Sequence, residues 1–120
     1  MAASEIRLLE AFNEAFNRHD VPAMMAMMTE DCLFENTFPP PEGERFSGQQ
    51  PVSSFWETFF SSSPLARIEI EEVFVSGERG FQRWVYSWQD AGGARGYLRG
   101  VDLFRFRDGK IAEKLSYVKG

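Results

Sequence analysis

Hydrophobic positions in the first half of the chain recur at helical spacing. The first such segment covers residues 4–18 and places four apolar side chains on one face: Ile6, Leu9, Phe12 and Phe16. Asp20 predicts the N-cap of a short, methionine-rich second helix ending at Met28. A third helix follows Gly48 and carries one wide apolar stripe, formed by Val52, Phe55, Trp56, Phe59 and Phe60. We therefore expect three amphipathic helices.

The remaining segments alternate in the manner of strands. Residues 32–38 form a first strand that ends at an exposed proline-rich loop, and everything after Pro64 is strand and turn. The later segments are 67–75, 81–89, 97–107 and 111–118, and the alternation slips at residues 71–72, which predicts a β-bulge. Helices followed by a strand meander predict an α+β fold with a curved antiparallel sheet, in a single domain over residues 1–120.

Composition narrows the classes of function. The net charge is −5 and no lysine–arginine cluster is present, which disfavours nucleic acid as a partner. A single cysteine excludes an intrachain disulfide, and one histidine with one cysteine gives no metal-ligand spacing. No apolar run approaches the ~18 residues of a membrane span. We expect a cytoplasmic protein without a metal, a membrane or a nucleic-acid partner.

Four segments, taken in order, resemble the nuclear transport factor 2-like superfamily, in its SnoaL-like (polyketide cyclase-like) and ketosteroid isomerase-like branch. They read NRHD at residues 17–20, TEDCLFEN at 29–36, SG at 47–48 opening a helix through SFW at 54–56, and GVDLFRFRDGKI at 100–111. The resemblance covers nearly the whole chain. It implies a cone-shaped sheet, the cystatin-like roll, which three helices close around an interior pocket.

The resemblance also bears on individual residues. Ketosteroid isomerase uses an aspartate base and an oxyanion hole made of a tyrosine and a protonated aspartate. The matching positions are Asn36 for the base, Phe12 for the tyrosine and Asp102 for the protonated acid. Only Asp102 keeps its chemistry, so authentic ketosteroid isomerisation is not expected. The limonene epoxide hydrolase pattern would fall near Val85, Arg83 and Ser116, and would keep only the arginine.

Asp102 is therefore the candidate catalytic residue. It lies between Val101 and Leu103, on the strand face that also carries Leu98, Phe104 and Phe106. A carboxyl on an apolar face would be desolvated, which suits a general acid or base. The alternative is a buried ion pair with an arginine such as Arg83 or Arg99. The sequence leaves both interpretations open.

The aromatic residues are expected both to line a pocket and to fill the core around it. The candidate ligand-binding residues are Phe12, Phe16, Phe34, Asn36, Phe55, Trp56, Phe59, Trp84, Tyr86, Trp88 and Phe104, and Tyr117 could join them. Aromatic walls with few polar groups favour a flat, largely apolar ligand. His19 is expected to support the end of the first helix, Cys32 to pack in the core, and Glu35 to lie at the rim or at a subunit interface.

These observations predict a SnoaL-like pocket protein that binds a small, mostly apolar carbonyl-type metabolite. If it is an enzyme, the reaction is a cofactor-free proton transfer of the isomerase or cyclase type. Asp102 would then move or share the proton while Asn36 and Tyr86 orient the substrate. The alternatives are a non-catalytic carrier and a dimeric interaction module. The apolar residues Val85, Val101 and Leu103 predict a homodimer through the convex face of the sheet.

Overall fold

A computed structural model describes residues 2–120, and side chains from residue 3 onward. The helices are α1 (Ala2–Arg18), α2 (Val21–Ala26) and α3 (Gln49–Ser62). The strands are β1 (Met28–Glu35), β2 (Arg45–Ser47), β3 (Arg67–Ser76), β4 (Arg79–Gln89), β5 (Arg95–Arg107) and β6 (Lys110–Val118). They form one sheet in the order β2-β1-β6-β5-β4-β3. The predicted α+β architecture, in which three helices close a curved sheet, is confirmed.

The helices pack their apolar faces onto the sheet. Helix α1 buries Leu9, Phe12 and Phe16, and α3 buries Val52, Trp56 and Phe60. The Phe16 and Trp56 rings meet edge to face with 5.6 Å between their centroids, which joins the two helices through aromatic contact. Helix α2 begins as predicted, because the side chain of Asp20 accepts a hydrogen bond from the backbone N–H of Ala23 at 3.1 Å.

Two interruptions of register shape the sheet. The β3–β4 pairing shifts between Ile70 and Glu72, where the sequence predicted a bulge. The β5–β6 pairing shifts as well, since Arg105 lies opposite Glu113 while Phe106 lies opposite Ile111. One extra residue of β6 at this point reverses the alternation that follows.

Element boundaries differ from the sequence prediction at the start of the sheet. Helix α2 ends at Ala26, and Met28 already opens β1, where it pairs in parallel with Ile111 of β6. Strand β2 lies in a segment for which no strand was predicted, and it pairs antiparallel with residues 33–35 of β1. A three-residue strand is too short to show alternation, and a parallel pair between distant segments leaves no local signal.

The convex face of the sheet combines apolar and charged side chains. Val85, Val101 and Leu103 are partly buried there. Arg83 and Arg99 both pair with Glu71 on this face, at 3.0 Å and 2.6 Å. The prediction that one of these arginines pairs with Asp102 is therefore wrong, because odd and even positions of β4 and β5 point to opposite faces. Among the helices within residues 2–120, none is long and apolar enough to cross a membrane.

Candidate functional site

The concave face of the sheet and helices α1 and α3 enclose a cavity of about 320 Å³. Its wall is mostly aromatic, and its polar groups lie on β4, β5, β6 and the loop between β1 and β2. The lining residues are Phe16, Phe34, Asn36, Thr37, Phe38, Glu44, Phe55, Trp56, Phe59, Ile68, Trp84, Tyr86, Leu98, Asp102, Lys114 and Ser116.

Most of the sequence-predicted pocket residues line this cavity, but three do not. Phe12 and Phe104 are buried in the core, with exposed fractions of 1% and 0%. Trp88 lies on the same strand face as Tyr86 and stacks on it at 5.5 Å, yet it faces a separate depression with Leu65. Tyr117, which the sequence placed in the pocket or core, is 51% exposed.

Two glycines of β5 allow the tryptophans of β4 to lie flat against the sheet. A Cβ atom on Gly100 would come within 2.6 Å of the Trp84 ring and 2.3 Å of the Tyr117 carbonyl oxygen. A Cβ atom on Gly96 would lie 2.4 Å from the Trp88 ring. The glycine at position 100 therefore fixes how deeply Trp84 sits in the cavity wall.

A row of polar side chains crosses the sheet at the deep end of the cavity. Gln82, Asp102 and Ser116 lie directly opposite one another on β4, β5 and β6. Asp102 is 1% exposed and accepts hydrogen bonds from Gln82 Nε2 at 2.9 Å and from Ser116 Oγ at 2.6 Å. The Lys114 ammonium is its third donor, at 3.4 Å. The groups in contact with the Asp102 carboxyl are thus all donors.

In this arrangement the Asp102 carboxyl acts only as a hydrogen-bond acceptor. Ionised carboxylates only accept hydrogen bonds, whereas a protonated acid needs an acceptor for its own O–H. The site therefore lacks the arrangement of a protonated acid that donates to a substrate oxygen. Asp102 instead forms a buried ion pair, the second of the two interpretations left open by the sequence, and its partner is Lys114 rather than an arginine.

The Gln82 side chain, which donates to Asp102, is held in place by Asn13 of helix α1. Asn13 Nδ2 donates to Gln82 Oε1 at 2.8 Å, and Gln82 Nε2 donates back to Asn13 Oδ1 at 3.1 Å. Both residues are buried. With one bond to Asp102 as well, Gln82 uses both hydrogens of its amide, so the carboxylate cannot turn without breaking this chain.

Lys114 is the cation of the cavity. Its side chain is 8% exposed, and its Nζ atom lies 4.8 Å from the centroid of the Phe34 ring and 5.5 Å from that of Trp56. Cation–π contacts at these distances favour a desolvated ammonium. Lys114 Nζ also donates to Ser116 Oγ at 3.1 Å, so the ammonium, the hydroxyl and the carboxylate form one compact cluster.

Sequence reasoning missed Lys114 because of the irregularity in β6. A strict alternation counted from Ile111 turns Tyr117 inward and Lys114 outward. The extra residue near Ala112 reverses this order, so Lys114 and Ser116 point into the cavity. The available signal was the slip in the apolar pattern of β6, where Ile111 and Ala112 are adjacent and both buried.

Asn36 has a structural task at the cavity mouth. Its Oδ1 atom accepts hydrogen bonds from the backbone N–H of Glu44 at 2.7 Å and of Phe38 at 3.4 Å. These bonds close the proline-rich loop. Asn36 also lines the cavity. Glu44, a carboxylate that the sequence analysis did not select, reaches the same wall.

Tyr86 supplies a hydroxyl within an aromatic wall. Its ring lies 5.8 Å from that of Phe59. Burial raises the pKa of the Tyr86 hydroxyl, and a hydrogen bond with Ser63 opposes this effect. The phenol is therefore neutral at physiological pH and can donate or accept one hydrogen bond.

The other candidates lie outside the cavity wall. His19 ends α1 with a φ of 58°, donates from Nε2 to the Ala66 carbonyl at 2.7 Å and stacks on Phe60 at 4.2 Å. Cys32 is buried, and burial raises the pKa of its thiol. Glu35 pairs with Arg45 at 2.7 Å. In the part of the chain that the structure describes, no group of three or more His, Cys, Asp or Glu side chains is arranged to hold a metal ion.

Comparison with known families identifies the domain. The family model of the SnoaL-like domain matches residues 9–114. The chain belongs to this SnoaL-like family. Its matched region includes both members of the Asp102–Lys114 pair. Among curated proteins, no sequence matches this SnoaL-like domain.

Solved structures show the same fold. A nuclear transport factor 2-like protein of unknown function from Mesorhizobium loti is 37% identical, with a TM-score of 0.82 over 98% of this chain and 93% of the other. A candidate polyketide cyclase from Xanthomonas campestris is 27% identical, with a TM-score of 0.81 over 98% and 91%. A nuclear transport factor 2-like protein from Burkholderia pseudomallei is 21% identical, with a TM-score of 0.85 over 97% and 91%. The SnoaL-like domain thus shares its whole architecture with these proteins.

Proposed function

We propose that the cavity binds a small, flat, mostly apolar metabolite that carries a carbonyl group. The observation that supports this most strongly is an aromatic chamber with a lysine ammonium at its deep end. Phe34, Trp56 and Tyr86 offer ring faces to a flat molecule, and Lys114 offers a hydrogen-bond donor to its oxygen. A volume of about 320 Å³ is at the lower end of the ~300–1,000 Å³ typical of ligand pockets, so the ligand has one or two rings.

Two indole N–H groups of the aromatic wall are left without a hydrogen-bond partner among the described residues. The indole N–H groups of Trp56 and Trp84 are buried, and neither has a hydrogen-bond partner within residues 2–120. Such a group costs about 1–3 kcal/mol when it is left unpaired. Both nitrogen atoms have almost no accessible surface, so this cost belongs to the packing of the wall and adds no contact for a ligand.

Cofactor-free proton transfer is the second candidate function. The Asp102–Lys114–Ser116 cluster favours it, because a buried ammonium can stabilise the enolate that forms when a proton leaves the carbon beside a carbonyl. The polyketide cyclase name given to a 27% identical relative points to the same class of substrate. Asp102 is poorly suited to be the base, since three donors already occupy its oxygens. A carrier without chemistry therefore fits the geometry better than an isomerase that depends on Asp102.

Equilibrium dialysis with 2-acetonaphthone, a flat two-ring ketone, tests binding directly. Leu98→Trp should obstruct the cavity mouth and weaken binding, because Leu98 lines the cavity and is 37% exposed. Tyr97→Trp is the matched control, since the neighbouring side chain points to the other face and is 68% exposed. Equal affinity for both folded variants and the wild type would refute the cavity as the binding site. Exchange of the methyl protons of bound 2-acetonaphthone with D₂O, followed by NMR, tests the proton transfer.

A further inference from the structure

The hydrogen bonds of the Lys114 ammonium are only partly used by the protein. An ammonium has three N–H donors, and those of Lys114 reach two acceptors, Asp102 Oδ1 and Ser116 Oγ. On its remaining side the ammonium faces the Phe34 and Trp56 rings in the cavity wall. Because Lys114 also lines the cavity, its third N–H is the one that can turn from these rings to a ligand.

The net charge of the cluster restricts which kind of ligand oxygen can bind to this N–H donor. Asp102 and Lys114 cancel each other, while Asn13, Gln82 and Ser116 are neutral. A neutral carbonyl oxygen would add no charge. A carboxylate would add a buried negative charge with no cation to balance it, which is costly in an apolar environment. Glu44, at the rim of the same cavity, repels such an anion further.

We propose that Lys114 is the residue that binds the ligand's oxygen, and that the Asp102–Lys114 pair selects neutral carbonyl compounds against the corresponding acids. This proposal rests on the function proposed above and specifies its substrate class. Asp102 is a positioning residue in this arrangement. It holds the Lys114 ammonium against the cavity and supplies the charge that makes the cluster neutral.

Three probes of equal size separate these contributions in equilibrium dialysis. 2-Acetonaphthone has the carbonyl acceptor, 2-isopropenylnaphthalene has the same shape with a CH₂ group in place of the oxygen, and 2-naphthoate has a carboxylate in place of the acetyl group. The ratio of ketone to hydrocarbon affinity isolates the oxygen contact, since the apolar contribution is common to both probes. In the variant Lys114→Met/Asp102→Asn this ratio should fall about tenfold, the size expected for one hydrogen bond to a charged donor.

The single variant Asp102→Asn tests the charge selection. It keeps the Lys114 ammonium but leaves the cluster with a net positive charge, so 2-naphthoate should bind at least about tenfold more tightly than it binds the wild type. A merely structural role for Asp102 predicts no such gain. Near-ultraviolet circular dichroism of each variant confirms that the native packing is retained.

A measurement on the wild type covers the case in which a variant does not fold. The ¹³C resonance of a labelled carbonyl in bound 2-acetonaphthone should lie downfield of its position in hexane, because a hydrogen bond to an ammonium withdraws electron density from the carbonyl carbon. A resonance at the hexane position overturns the role of Lys114.

The outcomes distinguish this inference from the function on which it rests. If the hydrocarbon and the ketone both bind, but their ratio is the same in the wild type and the double variant, Lys114 does not contact the ligand and the general proposal stands. If 2-naphthoate binds the wild type as tightly as the ketone does, the charge selection is wrong. If none of the three probes binds the folded wild type, both proposals fail.

Discussion

Removing the Lys114 charge should destabilise the protein far more than removing both charges of its ion pair. In Lys114→Met the apolar stem of the side chain is retained, but the Asp102 carboxylate, 1% exposed, loses its counter-charge. Leaving a charge buried without its partner costs about 3–5 kcal/mol, a large part of a typical folding free energy of about 5–15 kcal/mol. Gln82 and Ser116 still donate to the carboxylate, so the lower end of this range is expected.

The double variant Lys114→Met/Asp102→Asn should regain most of that loss. Its cluster is neutral again, and replacing a buried ion pair by uncharged groups of similar volume is often neutral or stabilising. The cycle formed by the two single variants and the double variant should therefore show a coupling energy of at least about 2 kcal/mol. Lys110→Met is the matched control on the same strand; Lys110 is exposed, and its loss should change the stability by less than about 0.5 kcal/mol.

Urea denaturation at neutral pH, followed by tryptophan fluorescence, measures these differences, since Trp56 and Trp84 report on the cavity wall. The refuting result is a Lys114→Met variant within about 1 kcal/mol of the wild type. A loss that small is typical of solvent-exposed pairs, and it would mean that the ammonium reaches water and is not held in the cavity floor.

Four further outcomes follow from the structure. Asn36→Asp should give slow exchange of the methyl protons of bound 2-acetonaphthone with D₂O, measured by NMR. The exchange should be slow because the backbone N–H of Glu44 already donates to one oxygen of the side chain at position 36. No exchange above that of the wild type would contradict the match of this position to the isomerase base. Gly100→Ala should cost about 1–3 kcal/mol in urea denaturation, because its Cβ would overlap the Trp84 ring, and an unchanged midpoint would contradict this packing. We expect a homodimer by light scattering, and Leu103→Lys should dissociate it; a monomeric wild type at micromolar concentration opposes this. Asp31→Asn should lower the melting temperature at neutral pH but not in strong acid, because a hydrogen bond from Arg107 lowers the pKa of the Asp31 carboxyl below 3.8. The stabilisation by this carboxylate is present above that value and fades as pH falls through the pKa of the folded state. Equal losses at both pH values would contradict this.

The helices and the four-strand meander could be predicted because their signals are local. The apolar stripe that includes Trp56 and Phe60 has helical period, and the strands of the meander carry alternation and turn residues. The positions of Phe34, Trp84 and Tyr86 on the cavity wall follow from the same alternation within β1 and β4.

The chemistry at the deep end of the cavity could not be predicted in this way. Whether Lys114 points inward depends on a single extra residue in β6, and one residue of slip exchanges the two faces of a strand. The ion-pair partner of Asp102 depends on the pairing of β5 with β6, whereas alternation alone could already have excluded Arg99, which lies three residues from Asp102 on the same strand. The position of Phe12 on the apolar face of α1 correctly predicted that it is buried. The same position could not tell whether Phe12 lies in the core or on the cavity wall.

The surroundings of Asp102 decide its role more firmly than its position in the fold does. The isomerase-like resemblance places a protonated acid at this position, and such an acid requires an apolar site in which the neutral form is favoured. Here the carboxyl at the same position accepts hydrogen bonds from an amide N–H, a hydroxyl and an ammonium. The carboxylate therefore has no proton to donate to a ligand oxygen, and that task passes to Lys114, which the carboxylate orients. In this fold, the acid at this position can thus donate to a ligand oxygen itself or hold in place a cation that does so. The second arrangement requires a lysine on the inner face of the next strand.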